Sequence, residues 1–345
     1  MTRSSVPGPP RLSRRGIALF CSPPRPPSRK SRSFSRSGWS SFRFWGEKRS
    51  RAMSRIAYVN GRYVPHSQAM VHVEDRGYQF SDGIYEVTGV YKGRPIDAEG
   101  HWERLERSLR ELSIAMPMSR RALDFVASQV VRRNRVVTGI VYIQVTRGVW
   151  PRNHPFPPKV TPPALVMTAR NGLGPGQAVA ERGVSVYSQP DIRWGRRDIK
   201  TVSLLPNVLA KEKAHHEGGF EALLVASDGT VTECASSNAW IITRDGVLVT
   251  RALSNDILPG ITRARLRELA LGMGMQIEER SFTLDEAKAA REVFISSTGS
   301  FALPVVRIDE TVIGNGVPGT LTLGLRARYL EFLESLSGPK WYDGH

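Results

Sequence analysis

A lysine and a glutamate occur in segments where each could take part in catalysis. Lys200 lies in Asp198-Ile199-Lys200-Thr201, just before an apolar stretch that is predicted to be a helix. A lysine amine can form a Schiff base with a carbonyl compound and can transfer a proton. Glu233 lies in Val231–Asn238, between two predicted strands, and its carboxylate could keep a ring nitrogen protonated. Each residue alone is compatible with an ordinary surface side chain.

Two further segments could bind an anion such as a phosphate. Leu258-Pro259-Gly260-Ile261-Thr262-Arg263 has the form of a helix N-terminus, where free N–H groups and the helix dipole favour negative charge. Ser296-Ser297-Thr298-Gly299-Ser300 adds a cluster of hydroxyls and amides. Arg104, in His101-Trp102-Glu103-Arg104, could supply a cation or could equally be a solvated helix arginine.

A third constellation could bind a carboxylate. In the segment Arg147–His154, Arg152 and His154 lie close together just after a predicted strand. An arginine can hold a carboxylate in two-point contact, and a histidine can add a donor. The spacing alone does not exclude an ordinary polar loop.

Taken together, these segments resemble the class IV, or fold type IV, aminotransferases that use pyridoxal 5′-phosphate (PLP). Asp198–Lys211 is similar to the lysine segment of that family, and Val231–Asn238 to its acid loop. Pro151-Arg152-Asn153-His154 resembles the carboxylate trap of the D-amino-acid (D-alanine) aminotransferases, and Asp75–Val87 their N-terminal signature. The resemblance extends from about residue 56 to residue 335. It implies an α/β (α+β) fold of two domains, with mixed sheets or a barrel flanked by helices.

The resemblance also implies a role for each of these residues. Lys200 would carry PLP as a Schiff base and move the proton during catalysis, and Glu233 would face the pyridine nitrogen. The other implied cofactor contacts are Arg104, Leu258, Ile261, Thr262 and Thr298, and the implied substrate contacts are Tyr85, Arg152 and His154. Arg152 and His154 would reach across a homodimer interface.

Three positions depart from the family pattern. Cys234-Ala235 replaces a more usual Gly-Ser pair, which puts in doubt a hydroxyl contact at position 235. Ser81 stands where a glycine is common. Gly89 stands where a lysine can occur, which would widen the pocket beside the substrate side chain.

The activity expected from this resemblance is transamination of D-amino acids such as D-alanine with a 2-oxo acid, by a ping-pong mechanism. The alternatives of the same fold are a branched-chain L-amino-acid aminotransferase, an R-selective amine transaminase and an aminodeoxychorismate lyase. Arg152 and His154 together with Tyr85 favour the D-specific reaction. A non-enzymatic alternative is nucleic-acid binding through the basic N-terminal segment.

The elements that must position these residues are read from hydrophobic periodicity and turn signals. In the first half the pattern predicts the hairpins Ile56–Val59 with Arg62–Pro65 and Ile84–Tyr91 with Arg94–Asp97, helices through Trp102–Leu112 and Ala122–Val131, and strands Gly139–Val149 and Pro163–Ala169. In the second half it predicts strands Val184–Ser188, Ala222–Ala226, Ala239–Thr243 and Val293–Ser296, and helices Leu204–Glu217, Ile261–Met273 and Thr320–Ser335.

Composition divides the chain into a basic extension and a folded part. Residues 1–52 hold thirteen Arg or Lys and one acid, so 36 bases and 31 acids remain for the other residues of a chain whose net charge is +17. With twelve Ser and seven Pro, that extension is predicted to be disordered. It could be a transit peptide, or translation could begin at Met53. No basic clustering that indicates nucleic-acid binding is evident in the folded part.

The predicted domains are 53–171 and 178–336, joined by a linker at 172–177 and followed by a tail at 337–345. Only two cysteines occur, Cys21 and Cys234, which favours a reducing compartment such as the cytoplasm. No Cys spacing suggests a metal, and no apolar run is long enough to span a membrane.

Overall fold

The computed structural model describes residues 55–344, so the predicted basic extension at 1–52 lies outside the described residues. The first sheet holds β1 (Ile56–Val59), β2 (Arg62–Pro65), β3 (Gly83–Tyr91), β4 (Arg94–Pro95), β5 (Gly139–Thr146) and β6 (Ala164–Asn171). These strands are antiparallel and follow the order β2-β1-β6-β5-β3-β4. The predicted first hairpin is confirmed, with Asn60 and Gly61 both at positive φ as its turn requires.

The second sheet holds β7 (Val184–Pro190), β8 (Glu221–Val225), β9 (Val231–Cys234), β10 (Asn238–Ile242), β11 (Leu248–Thr250), β12 (Ile277–Glu279), β13 (Glu292–Ser297), β14 (Phe301–Ile308) and β15 (Thr311–Val312). Their order is β12-β11-β10-β13-β14-β7-β8-β9, with β15 beside β14. Because β7 runs parallel to both β8 and β14, this sheet is mixed.

The helices are α1 (Arg76–Phe80), α2 (Ala98–Glu111), α3 (Arg120–Arg133), α4 (Gln177–Arg182), α5 (Leu205–His216), α6 (Ile261–Gly272), α7 (Leu284–Ala289) and α8 (Thr320–Ser335). A short 3₁₀ turn covers His66–Gln68. Helix α2 buries Trp102, Leu105 and Leu109, which recur at helical spacing as predicted. No helix within residues 55–344 is long and apolar enough to cross a membrane.

Each sheet has its own hydrophobic core. Helices α2 and α3 pack on the first sheet, around residues such as Leu105, Val130 and Ile143. The second sheet is buried on both faces, with Ile241 in one core and Trp240 in another that includes side chains of α6 and α8. The chain passes from the first sheet to the second between residues 171 and 184, and the assignment of two domains stays a prediction.

Several predicted boundaries were wrong. The strand predicted over Gly139–Val149 ends at Thr146, because Gly148 has a φ of +95° and its backbone lies against the carbonyl of Pro162. Helix α4 begins at Gln177, so the last residue of the predicted linker is its first residue. Strand β14 was missed because Pro304 interrupts its pattern.

The C-terminal segment returns to the first sheet. Trp341 and Tyr342 are buried in the core of that sheet, and Trp341 donates a backbone hydrogen bond of 2.8 Å to Gly93. A backbone approach this close leaves no room for a side chain at Gly93, which also has a φ of +78°. The segment predicted as a tail therefore packs against the β3–β4 turn.

Candidate active site

A cavity between the two sheets collects most of the predicted site residues. The empty space in this cavity and its mouth, open solvent included, is about 790 Å³. Eight of the ten predicted residues line it, namely Tyr85, Arg104, Lys200, Glu233, Leu258, Ile261, Thr262 and Thr298. Arg152 and His154 do not.

Lys200 is held in the cavity by the edge of the first sheet. The backbone N–H of Tyr85 donates to the Lys200 carbonyl at 2.9 Å, and that of Val202 donates to the Gly83 carbonyl at 3.1 Å. These bonds place the Lys200 Nζ 4.3 Å from the centre of the Tyr85 ring. Buried Asp198, which pairs with Arg107, anchors the residues just before the lysine.

Glu233 lies within β9 and not in a loop between two strands, which corrects the sequence prediction. Its strand pairs with β8, and its side chain is buried. Its carboxylate accepts hydrogen bonds from Arg193 Nη1 at 2.6 Å, from Asn238 Nδ2 at 3.0 Å and from the N–H of Leu258 at 3.2 Å. Burial raises the pKa of Glu233, although the Arg193 guanidinium opposes that shift. Three donors therefore fix the orientation of this carboxylate.

Arg193 is a functional candidate that sequence reasoning missed. This buried guanidinium bridges Glu233 and Asp191, with an ion pair of 2.8 Å to Asp191. Burial raises the pKa of Asp191, but hydrogen bonds from Arg193 and Thr232 outweigh it and lower this pKa to about 2. The Asp-x-Arg spacing just before the lysine was the available signal, but the pairing with Glu233 is visible only in the fold.

One end of the cavity is suited to an anion. Helix α6 begins there with Gly260 at its N-cap, and no side chain caps its first turn. Ile261 and Thr262 line the cavity at this helix end. A Cβ at Gly260 would lie 2.1 Å from Asn238 Oδ1, so only glycine allows the close approach. The first-turn amides and the helix dipole thus face a space that can take negative charge.

Arg104 lies beside this helix end in a buried network. Its Nη1 donates to the carbonyl of Pro259 at 2.9 Å, and its Nε and Nη2 donate to Glu86 at 2.7 and 2.9 Å. His101 Nδ1 lies 2.9 Å from the same carboxylate. Burial alone would raise the pKa of Glu86. Arg104 and His101 lower this pKa by more than burial raises it, so it lies well below the ordinary value for a glutamate. Glu86 and His101 were not predicted, and they fix the Arg104 fork.

The hydroxyl cluster closes the same end of the cavity. Ser296, Ser297 and Thr298 line it at the end of β13. The indole of Trp240 donates to Ser296 Oγ at 2.8 Å, and Thr298 Oγ1 donates to the Val87 carbonyl of the first sheet at 3.3 Å. The cluster is therefore attached to both sheets.

Arg152 and His154 lie on an exposed loop outside the cavity. The Arg152 guanidinium lies 4.5 Å from the centre of the Phe80 ring, and the His154 ring lies 5.5 Å from it. Buried Arg76, which was not predicted, holds this loop by donating to the carbonyls of Asn153 and His154. Within one chain, the structure does not bring this pair to Lys200.

The cavity fits PLP, the cofactor that the sequence resemblance implies. A lysine amine, a fixed carboxylate and an uncapped helix N-terminus beside a buried arginine are the donor set for its aldehyde, ring nitrogen and phosphate. The uncapped N-terminus of α6 beside Arg104 is the local feature that suits a phosphate.

Comparison with known proteins agrees with this chemistry. The family described as amino-transferase class IV matches residues 83–308. The chain is 39% identical to a D-alanine aminotransferase of Listeria innocua over 82% of this chain and 98% of that protein. It is 40% identical to a D-alanine aminotransferase of Staphylococcus aureus strain N315, over 81% and 98%.

Solved structures show the same fold. The crystal structure of the T.th. branched-chain amino acid aminotransferase with pyridoxamine 5′-phosphate matches this chain with a TM-score of 0.74 and 26% sequence identity. The match covers 81% of this chain and 94% of that one. The branched-chain enzyme of Escherichia coli has a TM-score of 0.73 and 22% identity, covering 84% and 97%. With this architecture and a family match over most of the described residues, the chain belongs to the class IV aminotransferases.

Proposed function

We propose that this chain transfers the amino group of D-amino acids such as D-alanine to a 2-oxo acid, with PLP as cofactor. The observation that carries the proposal is the meeting of Lys200, Glu233 and the α6 N-terminus in one cavity. The chain is also about two-fifths identical to proteins named D-alanine aminotransferase over nearly their whole length.

In this proposal each residue of the cavity has its own role. Lys200 attaches the cofactor and moves the proton at the substrate Cα, a step that requires its amine in the neutral form. Bound PLP supplies an electron sink for the carbanion that this proton removal creates. Glu233 holds the ring nitrogen protonated, Leu258 supports the ring, and the phosphate is held by Arg104, Ile261, Thr262 and Thr298.

The substrate carboxylate would be held by Tyr85 of one subunit and by Arg152 and His154 of its partner in a homodimer. The Arg152 loop is exposed and does not line the cavity of its own subunit, which supports this arrangement. A cytoplasmic location, inferred from the two cysteines, stays a prediction.

Mixed dimers test the shared site. Lys200→Ala and Arg152→Met subunits should each be nearly inactive alone. A dissociated and reassociated equal mixture should recover about a quarter of wild-type activity, because half of its dimers are mixed and each has one intact site. Recovery fails if Arg152 acts in its own subunit, since no site of the mixed dimer would then hold both residues.

A branched-chain L-amino-acid aminotransferase is the second candidate, favoured by the solved structures of similar fold. An R-selective amine transaminase and an aminodeoxychorismate lyase are further alternatives within the fold. The visible spectrum of the purified enzyme should bleach on addition of D-alanine and not of L-alanine or L-leucine. Bleaching by the L-amino acids alone would refute D-specificity, and pyruvate release from aminodeoxychorismate would indicate the lyase.

A further inference from the structure

The turn between β13 and β14 contains a bulky residue in an unfavourable backbone conformation. Ser297 pairs with Phe301 across the hairpin, and the N–H of Ser300 donates to the Ser297 carbonyl at 3.1 Å. Phe301 has a φ of +57°, the left-handed region that such hairpins usually fill with glycine. The same hairpin presents Ser296 and Thr298 to the cavity. Contacts from outside the turn must therefore stabilise the conformation that places these two side chains in the cavity.

Helix α8 holds the turn from the side away from the cavity. Arg326 Nη1 donates to the carbonyls of Ser300 at 2.9 Å and of Ala302 at 3.2 Å, the two residues that flank Phe301. Nearly one turn further along α8, the Tyr329 ring stacks on the Phe301 ring with centroids 4.8 Å apart. Arg326 therefore fixes the backbone on both sides of the left-handed residue, and Tyr329 fixes its ring.

Arg326 is a buried cation for which residues 55–344 provide no carboxylate as counter-ion. Its side chain is 5% exposed, and among residues 55–344 it forms no ion pair with a carboxylate. Its Nε is buried without a hydrogen-bond partner in that part of the chain, and burial lowers its pKa. A buried cation without a counter-ion is costly, so an anion held on the other face of the turn would offset part of that cost.

We propose that Arg326 is a positioning residue for the phosphate-binding end of the cavity. It fixes the turn 297–302 so that the hydroxyls of Ser296–Thr298 face the phosphate, and its charge adds to the positive potential there. The inference rests on the proposed function, because the anion it concerns is the phosphate of PLP.

The test compares PLP with pyridoxal, which lacks the phosphate. Holoenzymes of wild type, Arg326→Met and Arg326→Lys are stripped of cofactor and titrated with each compound, with binding followed by visible absorbance. Arg326→Met should weaken PLP binding by about tenfold or more, as expected for lost hydrogen bonds from a charged donor, and leave pyridoxal binding unchanged. Arg326→Lys keeps the charge without the planar fork and should give a smaller loss.

Arg328→Met is the matched control. Arg328 lies two residues further along α8, exposed and paired with Glu331 at the surface, so its removal should leave both affinities at the wild-type values. If Arg326→Met does not fold, Arg326→Lys carries the test. Wild-type PLP affinity in the folded Arg326 variants would overturn the proposal. An equal loss for PLP and pyridoxal would also overturn it, since it would indicate a merely structural role. Failure of the wild type itself to bind PLP would instead overturn the proposed function.

Discussion

Removal of Arg104 should destabilise the fold as well as the site, because it leaves a buried carboxylate without its main partner. Glu86 is fully buried and receives two bonds from Arg104, of 2.7 and 2.9 Å, beside the contact with His101. Breaking a buried ion pair from one side typically costs about 3–5 kcal/mol of unfolding free energy. We expect Arg104→Met to fall in that range. The double variant Arg104→Met/Glu86→Gln should lose less than the two single variants summed, since neither charge then remains buried alone.

The same pair predicts a pH dependence. The pKa of Glu86 in the folded chain is below the unfolded value of about 4.3. A depressed carboxyl pKa stabilises the folded state above the unfolded pKa, and this contribution is lost as the pH falls toward the folded pKa. In Arg104→Met that depression is largely removed, so the unfolding free energy of the variant should fall less than that of wild type between about pH 5 and pH 3.

Urea unfolding followed by circular dichroism measures both effects. Arg110→Met is a suitable control, because Arg110 is an exposed residue of the same helix and its loss should change the free energy by about 0.5 kcal/mol at most. The reasoning fails if Arg104→Met lies within about 1 kcal/mol of wild type. It also fails if the double variant equals the sum of the single ones.

Three other predictions concern the cavity and the Tyr142 ring that stacks on Tyr85. Lys200→Ala should abolish turnover and the visible absorbance of bound PLP; persistence of either would exclude Lys200 as the attachment site. Gly260→Ala would bring a Cβ within 2.1 Å of Asn238 Oδ1. Thermal unfolding should therefore show that the unfolding free energy falls by about 1–3 kcal/mol, and titration with PLP should show weaker binding. Burial and the neighbouring Tyr85 raise the pKa of Tyr142 to about 12, so between about pH 10 and pH 12 wild type should lose more unfolding free energy than Tyr142→Phe. Parallel alkaline curves would contradict this.

The sequence predicted what depends on local signals. Helix α8 has the predicted bounds Thr320–Ser335, and the start of α6 at Ile261 follows from the Pro-Gly that precedes it. Lys200 and the residues of the α6 end, which line one cavity, could be predicted because their short segments together resemble the motifs of one family, although each segment alone is weak. The approximate order of strands and helices also follows from periodicity.

What the sequence did not reveal depends on partners that are distant along the chain. Arg193 meets Glu233 forty residues later, and Arg104 meets Glu86 eighteen residues earlier. Neither acid has a local signal of burial. In β3 the alternation of apolar and polar residues does not show which face is buried. The sheet is covered on one face by α2 and borders the cavity on the other. Glu86 is buried under α2 while Tyr85 faces Lys200, a division that periodicity alone could not assign.

The two sheets are joined at the site itself, where several buried ion pairs lie. Three hydrogen bonds link the first sheet and its helix α2 to segments of the second sheet. The N–H of Tyr85 donates to the Lys200 carbonyl, and Thr298 Oγ1 donates to the Val87 carbonyl. Arg104 donates to the Pro259 carbonyl. A displacement of one sheet against the other would break all three contacts together. A ligand held by residues of both sheets binds only when the sheets are docked, so its binding free energy adds to the stability of that arrangement. The charged networks around Arg104 and Glu233 can then persist despite their desolvation cost, because the bound cofactor is part of what they position.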